Sequence, residues 1–460
     1  MAKSPDRMLH SDAFAWYMEK DPVLRSTIVA VNRLETSPDW PLLRLRIDRL
    51  TRLVPRLRMR VQAPPLRLGP PRWSVDEDFD LDFHLRRVRL GSGDWSEVLD
   101  FARNAAMADF DRARPLWEFT VLDGLADGGA AFVTKLHHSL TDGIGGIQLA
   151  ALVVDVGPEP DRSVELPPPP AGHGLSSARL AVLALADDTA DVAAAAGEAV
   201  GAIEHDAITA ARHPASTLRA MLGTAQSVAR FVAPVNRPHS RLLGQRSISR
   251  SVATLDVPFA TLHDAAAASG GHLNDAFLAA MTDAMQRYHD KRGARLDRVR
   301  VTVPLSIRTE QDGVGGNRIT LARMTLPAGI ASPAVRIKRI QEVVGAWRRE
   351  PALAHTQRIA AGLNFMPRSY LQNMLKRVEM LASDVPGVPQ PVWLAGARII
   401  GYYAFGPTIG AAVNATLMSY AGMCNIGINI DTQAIDDPAL WMDCLDAAFE
   451  DVLAAAPATS

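Results

Sequence analysis

The stretch Lys135-Leu136-His137-His138-Ser139-Leu140-Thr141-Asp142-Gly143 constrains this chain most, because it sets two imidazoles and a carboxylate between an apolar strand and an apolar helix. Ala131, Phe132, Val133 and Thr134 are strand formers, and Ile147 to Val154, after Gly145-Gly146, read as the start of a buried helix. Both histidines therefore fall on a strand-to-helix loop held at each end by the core, a rigid setting suited to reacting groups. Successive side chains at a strand end point to opposite faces. One histidine is free to work while the other packs.

His138 is the candidate general base, since a neutral imidazole with a pKa near ~6.5 takes a proton from a hydroxyl at neutral pH. Asp142 has two open roles: it orients His138 directly, or it holds the loop through a salt bridge to an arginine while His138 works alone. An ordinary loop also carries such residues. A zinc site of His137, His138 and Asp142 is a further alternative, but adjacent histidines are poorly placed to bind one ion and no Cys- or Glu-rich motif accompanies them. No metal is expected.

A chain of 460 residues suffices for two core-forming lobes of roughly 150 to 200 residues each. The formal net charge is −1, with arginines balanced by acids throughout, which argues against a nucleic-acid binder. Cysteine occurs only at Cys424 and Cys444, so no disulfide framework exists and a reducing cytoplasm is the natural compartment. Met1 to His10 has no apolar run of the kind a secretory signal needs, and export is not expected. The uncharged run from Ile399 to Ile430 is long enough to span a membrane. Its glycines, Pro407 and the alternation of Ile426, Ile428 and Ile430 instead predict buried strands with a turn near Ala421-Gly422.

Taken in order, Ser26 to Val31 predicts a first strand, and Asp39 before Trp40-Pro41 caps a helix through Leu43, Ile47, Leu50 and Val54. Pro55 ends it, and Arg56 to Val61 alternates as a half-buried strand. Asp94 is placed to cap a helix from Trp95, with Glu97 as its capping-box partner. Trp117 to Val121 and Ala131 to Leu136 pair as a hairpin that delivers the histidines, and Pro115-Leu116-Trp117 enters it as packing beside the site. From Gly157 to Pro170 the composition turns proline-rich and acidic, a linker. Ser177 to Val232 is alanine-rich and helical, suited to packing on the protein or lying on a bilayer. The second half opens with a strand through Val252 and Leu255, then a helix from Pro258 to Ser269 and another beginning at Asn274, which can cap it. Val299, Val301 and Val303 lead into Pro304, with Ser306 and Arg308 at the strand end, and Asp437 to Leu453 closes the chain as a helix.

The residues His137 to Gly143 resemble the HHxxxDG motif of the CoA-dependent acyltransferase superfamily, which includes chloramphenicol acetyltransferase, plant acyltransferases and peptide synthetase condensation domains. Pro115-Leu116-Trp117, Leu273-Asn274-Asp275, Val303 to Arg308, Gly316-Asn317-Arg318 and Ser419-Tyr420-Ala421-Gly422 resemble, in order, signatures of the bacterial wax ester synthase/diacylglycerol acyltransferase family. The resemblance runs nearly end to end from Asp12-Ala13-Phe14. Ser383-Asp384-Val385-Pro386-Gly387 departs from it, since the family usually has asparagine where Asp384 stands.

The resemblance implies an α/β (α+β) fold of two chloramphenicol-acetyltransferase-like lobes, each a mixed sheet with helices, with an active-site channel between them. The expected division is an N-terminal lobe over 1–156, a proline-rich linker and alanine-rich helical segment over 157–245, and a C-terminal lobe over 246–460. It also implies an acyl-CoA-dependent O-acyltransferase that uses diacylglycerol or a long-chain alcohol as acceptor, with acyl-CoA as substrate and no further cofactor. His138 would act as base, with His137 and Asp142 completing the motif and Gly143 supporting it. Arg308 is the candidate partner for Asp142, with a surface arginine as the alternative, and Asn274 and Asp275 would border the site, where an amide could donate to a carbonyl or hydroxyl oxygen. Such substrates live in membranes, so the chain is expected to bind the inner membrane face or a lipid droplet peripherally. A superfamily enzyme acting on a polyketide or other non-lipid acceptor, and a non-catalytic lipid-binding protein, are the rival readings.

Overall fold

Alternation along the histidine-bearing strand is satisfied on both sides, because that strand lies inside a sheet covered on each face. The computed structural model describes residues 6–65, 69–172, 174–187, 214–233, 238–306, 319–355 and 368–456, with 189, 235, 359, 362, 363 and 366 between them. In chain order the strands are β1 (Thr27–Leu34), β2 (Met59–Gln62), β3 (Arg72–Val75), β4 (Leu85–Arg89), β5 (Trp117–Asp123), β6 (Ala130–His137), β7 (Val154–Asp155) and β8 (Arg250–Pro258). They continue as β9 (Arg298–Ser306), β10 (Ile319–Pro327), β11 (Met380–Val385), β12 (Trp393–Leu394), β13 (Ala397–Phe405), β14 (Val413–Tyr420) and β15 (Met423–Asp431). The longer helices are α1 (His10–Met18), α2 (Trp40–Leu53), α3 (Trp95–Met107), α4 (Gly143–Ala151), α5 (Pro214–Val232), α6 (Phe259–Ala268), α7 (Leu273–Lys291), α8 (Pro333–Arg348) and α9 (Pro438–Leu453).

Among the described residues the strands form two large mixed sheets, one ordered β4-β5-β6-β1-β13-β12-β7 and the other β10-β9-β11-β14-β15-β8, with β2 and β3 as a separate pair. The N-terminal sheet is not completed within residues 1–156. β13 runs antiparallel to β1, from Val29↔Phe405 to Leu34↔Ile399, and β12 joins it to β7. The physical reason is the open edge of β1: β13 buries alternate residues and extends the sheet there, a long-range pairing that an apolar run does not announce. The two sheets meet where β15 crosses β13, and Gly427 is required there, since a Cβ would stand 2.2 Å from the Ala404 carbonyl oxygen. Ala421 and Gly422, both at positive φ, make the β14–β15 turn expected from the sequence.

The N-terminal sheet has two cores. On one face Leu43, Ile47 and Leu50 of α2 pack with Phe119, Phe132 and Leu136, and on the other Val98 and Ala102 of α3 pack with Val31, Val133 and Phe405. The C-terminal sheet packs against α6 to α9, and α7 is buried nearly all round through Phe277, Met281 and Tyr288. The lobes also touch through Met18, Leu24 and Leu371, beside Asp21, which accepts from Gln372 at 2.6 Å and pairs with Lys376.

Asp39 caps α2 as expected, accepting from Leu42 N at 3.1 Å, and Asp437 caps α9 in the same way through Leu440 N at 3.0 Å. Other local expectations are corrected. Pro55 opens a 3₁₀ turn over Pro55–Arg58, so only Met59–Gln62 is strand, and Arg58 turns back to Asp48 at 2.5 Å. Asp94 makes no side-chain cap; Glu97 accepts from Gly91 N at 2.8 Å and Ser92 N at 2.9 Å, ordering the loop ahead of α3. The proline-rich segment runs over the N-terminal lobe, where Arg46 holds Asp155 at 2.6 Å and Arg52 donates to the Pro167 carbonyl at 2.9 Å. Residues 190–213 of the alanine-rich stretch lie outside the described residues, but α5 is anchored to Glu350 by Ser227 and Arg230.

Candidate active site

Alternation on β6 decides between the two histidines. Phe132, Thr134, Leu136 and His138 line a cavity of about 510 Å³ between the lobes, whereas Ala131, Val133, Lys135 and His137 turn to the other face. The cavity is walled mostly by apolar side chains, among them Ile28, Leu50, Ile147, Leu381 and Met418.

His138 is anchored by its main chain, whose N–H donates to the Ser26 carbonyl at 2.9 Å. Its Nδ1 is buried against its own backbone, which leaves Nε2 toward the channel. Burial pushes the imidazole pKa down, against the pull of its own backbone and of the Asp142 charge. The ring is therefore neutral at neutral pH, with a lone pair to accept a proton.

His137 is fully buried, and its Nδ1 accepts from Ser139 N at 3.0 Å and lies 2.7 Å from Ser139 Oγ. A ring nitrogen that accepts from an amide carries no proton, so the proton sits on Nε2, 3.0 Å from Glu19 Oε2. Glu19 also accepts from Ser26 N at 2.7 Å and from Arg112 at 3.3 Å. Ser26 thus joins the two histidines: its N–H goes to the carboxylate beside His137 and its carbonyl holds His138. Burial pushes the Glu19 pKa up, but His137, Ser26 N and Arg112 outweigh it and hold the carboxyl below its ordinary value.

Asp142 is buried and caps α4, accepting from Gly145 N at 2.7 Å. Arg308, its candidate partner, and Gly316-Asn317-Arg318 lie outside the described residues. Gly143 also lines the channel, where a Cβ would stand 2.8 Å from Val385 Cγ2 at the end of β11. Trp117 is fully buried, donates from Nε1 to the Leu57 carbonyl at 2.7 Å and stacks on His84 at 4.5 Å. With Pro115 buried and the Leu116 carbonyl accepting from His137 N at 3.0 Å, this segment fixes the end of β6.

Asn274 and Asp275 line a different cavity, of about 290 Å³, beside Gln341 and Arg348. Asn274 does not cap α7. The cap is His272, whose N–H donates to Asp275 Oδ2 at 2.8 Å, because the extended backbone at His272 moves the helix start ahead of Asn274. Asp384, half-buried near the end of β11, also lines the inter-lobe cavity, and burial raises its pKa to about 6 against the pull of Arg348. The Ser419-Tyr420 stretch ties the crossover in place: Ser419 Oγ accepts from Gly387 N at 3.1 Å, and Tyr420 accepts from Val392 N at 3.0 Å and donates to the Ile399 carbonyl at 2.8 Å. The sequence reading missed Glu19 and Ser26, and nothing local to either marks a partner so far along the chain.

Two mixed-sheet lobes enclosing a channel, with the second histidine of HHxxxDG on its wall, are the arrangement expected of the CoA-dependent acyltransferase superfamily. Residues 8–277 match the wax ester synthase/diacylglycerol acyltransferase catalytic domain and residues 315–452 the C-terminal domain of the same group. The chain belongs to the wax ester synthase/diacylglycerol acyltransferase family, and it is an acyltransferase that uses acyl-CoA and a lipid acceptor. It is 36% identical over 443 residues to a Mycobacterium tuberculosis H37Rv protein named as a diacylglycerol O-acyltransferase, covering 95% of this chain and 90% of that one. A second protein so named from the same strain is 27% identical over 477 residues, covering 97% of each. In fold it is similar to the wax ester synthase/diacylglycerol acyltransferase of Marinobacter aquaeolei VT8, with a TM-score of 0.62 at 20% identity over 98% of this chain and 99% of that one. The first condensation domain of the calcium-dependent antibiotic synthetase matches with a TM-score of 0.63 at 14% identity over 99% and 98%.

Proposed function

We propose that this chain transfers a long-chain acyl group from CoA to the hydroxyl of diacylglycerol or of a long-chain alcohol, with His138 as the general base. The observation that carries the reading is the half-buried His138 imidazole on the wall of an apolar inter-lobe cavity, where burial pushes its pKa down. As the acceptor oxygen attacks the thioester carbonyl, its proton passes to His138 Nε2. The tetrahedral intermediate then collapses, the C–S bond breaks, and the same proton goes to the CoA sulfur. No covalent acyl-enzyme and no cofactor beyond acyl-CoA are needed, because the thioester is already activated.

The protein supplies alignment, a base worth roughly 10²- to 10⁴-fold, and donors for the oxyanion. The first-turn amides of α4 at Gly143 and Ile144 suit the last role, since Asp142 occupies Gly145 N and the turn's other N–H groups have no intrahelical acceptor. Asn274, in the other cavity, does not. His137 and Asp142 act by position, one bracing the loop through Glu19 and the other starting α4. Work at a lipid surface fits exposed Val182, Leu185 and Leu222 on the alanine-rich helices, and among the described residues no helix is long and apolar enough to cross a membrane.

The test is thiol release from palmitoyl-CoA by purified protein, with dioleoylglycerol or hexadecanol as acceptor, beside His138→Ala at matched folding. Acceptor-dependent release that the substitution abolishes is expected. Equal rates in the two proteins, or release that needs a polar non-lipid alcohol, would overturn the assignment.

A further inference from the structure

The sheet face that leads away from His138 changes character along its length. Ser26, Ile28, Ala30 and Asn32 of the β1 strand and its approach line the cavity, flanked on β6 by Leu136, Thr134 and Phe132 and on β13 by Ala404 and Tyr402. The run from Ser26 to Asn32 spans roughly 20 Å of strand at ~3.3 Å per residue, about the extended length of a palmitoyl chain. The middle row is small: Ala30 sits between Thr134 and Ala404, leaving a trough under Ile47 and Leu50 of α2.

The wall is apolar again farther on, at Ile399 and Leu394, but it is interrupted before them. Asn32 and Tyr402 are direct cross-strand partners at the interruption. Asn32 is only 7% exposed, yet its Oδ1 is buried with no hydrogen-bond partner among the described residues. The Tyr402 hydroxyl also has no hydrogen-bond partner among the described residues, and burial pushes its pKa up to about 12, so it keeps its proton. The same cavity wall shows how a phenol is handled when nothing is to be bound: the Tyr420 hydroxyl is fully used by Val392 N and the Ile399 carbonyl. A buried amide oxygen and a protonated phenol on directly paired residues of one cavity wall, both unspent, offer an acceptor and a donor to a hydroxyl that enters there.

We infer that Asn32 and Tyr402 form a polar subsite in the wall of the chain-binding cavity, ~20 Å along the strand from Ser26, which takes a hydroxyl carried on the distal end of a long-chain substrate. The inference rests on the proposed function, in that the cavity holds a long chain with its carboxyl end at His138. A terminal hydroxyl donates to Asn32 Oδ1 and accepts from the Tyr402 O–H. An unsubstituted chain of the same length covers both groups with methyl and leaves them unpaired, and sites of this kind discriminate strongly against the analogue that lacks the polar group.

The experiment is displacement of a fluorescent fatty acid from the purified full chain by palmitate and by ω-hydroxypalmitate, for wild type, Asn32→Leu and Tyr402→Phe, alongside thiol release from palmitoyl-CoA. Wild type is expected to bind ω-hydroxypalmitate about tenfold or more tightly than palmitate, and each substitution to remove most of that preference by weakening the hydroxylated ligand. Tyr402→Phe keeps the ring and serves if Asn32→Leu does not fold. Wild type that binds palmitate and turns over palmitoyl-CoA without a preference, or variants that keep the preference, overturn the polar subsite alone. Wild type that binds neither acid and releases no thiol overturns both the subsite and the proposed function.

Discussion

Glu19 Oε2 lies 3.0 Å from His137 Nε2, with side chains that are 2% and 0% exposed. This buried contact joins the segment after α1 to the end of β6, and through Ser26 it reaches the main chain of His138. Glu19 is a positioning residue. Glu19→Ala is expected to destabilise the fold by about 2–3 kcal/mol, the range for a buried hydrogen bond to a charged group, and to lower kcat more than it raises KM for acyl-CoA. Urea unfolding and initial rates check both, and Glu19→Gln should recover part of the stability. The carboxyl is held below its ordinary value in the fold, so its contribution is present above the unfolded pKa and lost as pH falls through the folded one.

The channel histidine gives a prediction of opposite kind. Burial lowers the His138 pKa, so its acid limb in kcat/KM should fall below the ordinary imidazole value near ~6.5. As a base it must be neutral to act, and the rate should stay level from neutral pH down past that value before it drops. For stability the sign is the same: the fold prefers the neutral ring, so stability is lost progressively as pH falls from the unfolded pKa toward the folded one. A pH–rate profile with its midpoint at or above 6.5 removes the desolvated-base argument.

The part of the site that could be read in the sequence was the part built by neighbours along the chain. Alternation through Phe132, Thr134 and Leu136 is enough to put His138 in the channel and His137 in the core, and the Asp39 cap follows from the residues beside it. What escaped was set by distant partners. The run from Ile399 reads as buried strand, but nothing in it says that β13 joins the sheet of β1 rather than that of β14. Glu19, beside Lys20 and Asp21, looks like a surface acid until β6 is laid beside it. Asn274 has the chemistry of a cap and loses the position to His272 because the chain straightens two residues earlier.

Gly143 and Val385 bring the two lobes into close approach near the base. A Cβ there would stand 2.8 Å from Val385 Cγ2 and 3.2 Å from Cγ1, so Gly143→Ala has to push the end of β11 away from the histidine loop. Overpacking of this kind costs about 1–3 kcal/mol, and because the moving part bears on His138 the rate should fall at least tenfold. Val385→Ala should rescue the substitution: in a double-mutant cycle the pair is expected to be closer to wild type than Gly143→Ala alone. Additive losses would show that the contact is not the cause.

Asp384 offers the last test, because it stands where the family usually has asparagine. Burial raises its pKa to about 6 from an ordinary 3.8, against the pull of Arg348, and the carboxyl has no hydrogen-bond partner among the described residues. The fold therefore disfavours the charged form. Between the unfolded and folded pKa values the unfolded chain is the less protonated, so stability falls as pH rises through that window and the full penalty is present above about 6. At about 1.4 kcal/mol per unit the penalty at neutral pH is on the order of 3 kcal/mol. Asp384→Asn removes the charge without changing shape, and it should raise the urea midpoint at neutral pH while making little difference near pH 4. The nearby Cys424 thiol, pushed up to about 12 by burial and by the Asp384 charge, should react no faster with thiol reagents in the variant, since burial is the larger cause. A midpoint that does not move at neutral pH would mean that Arg348 already offsets the charge.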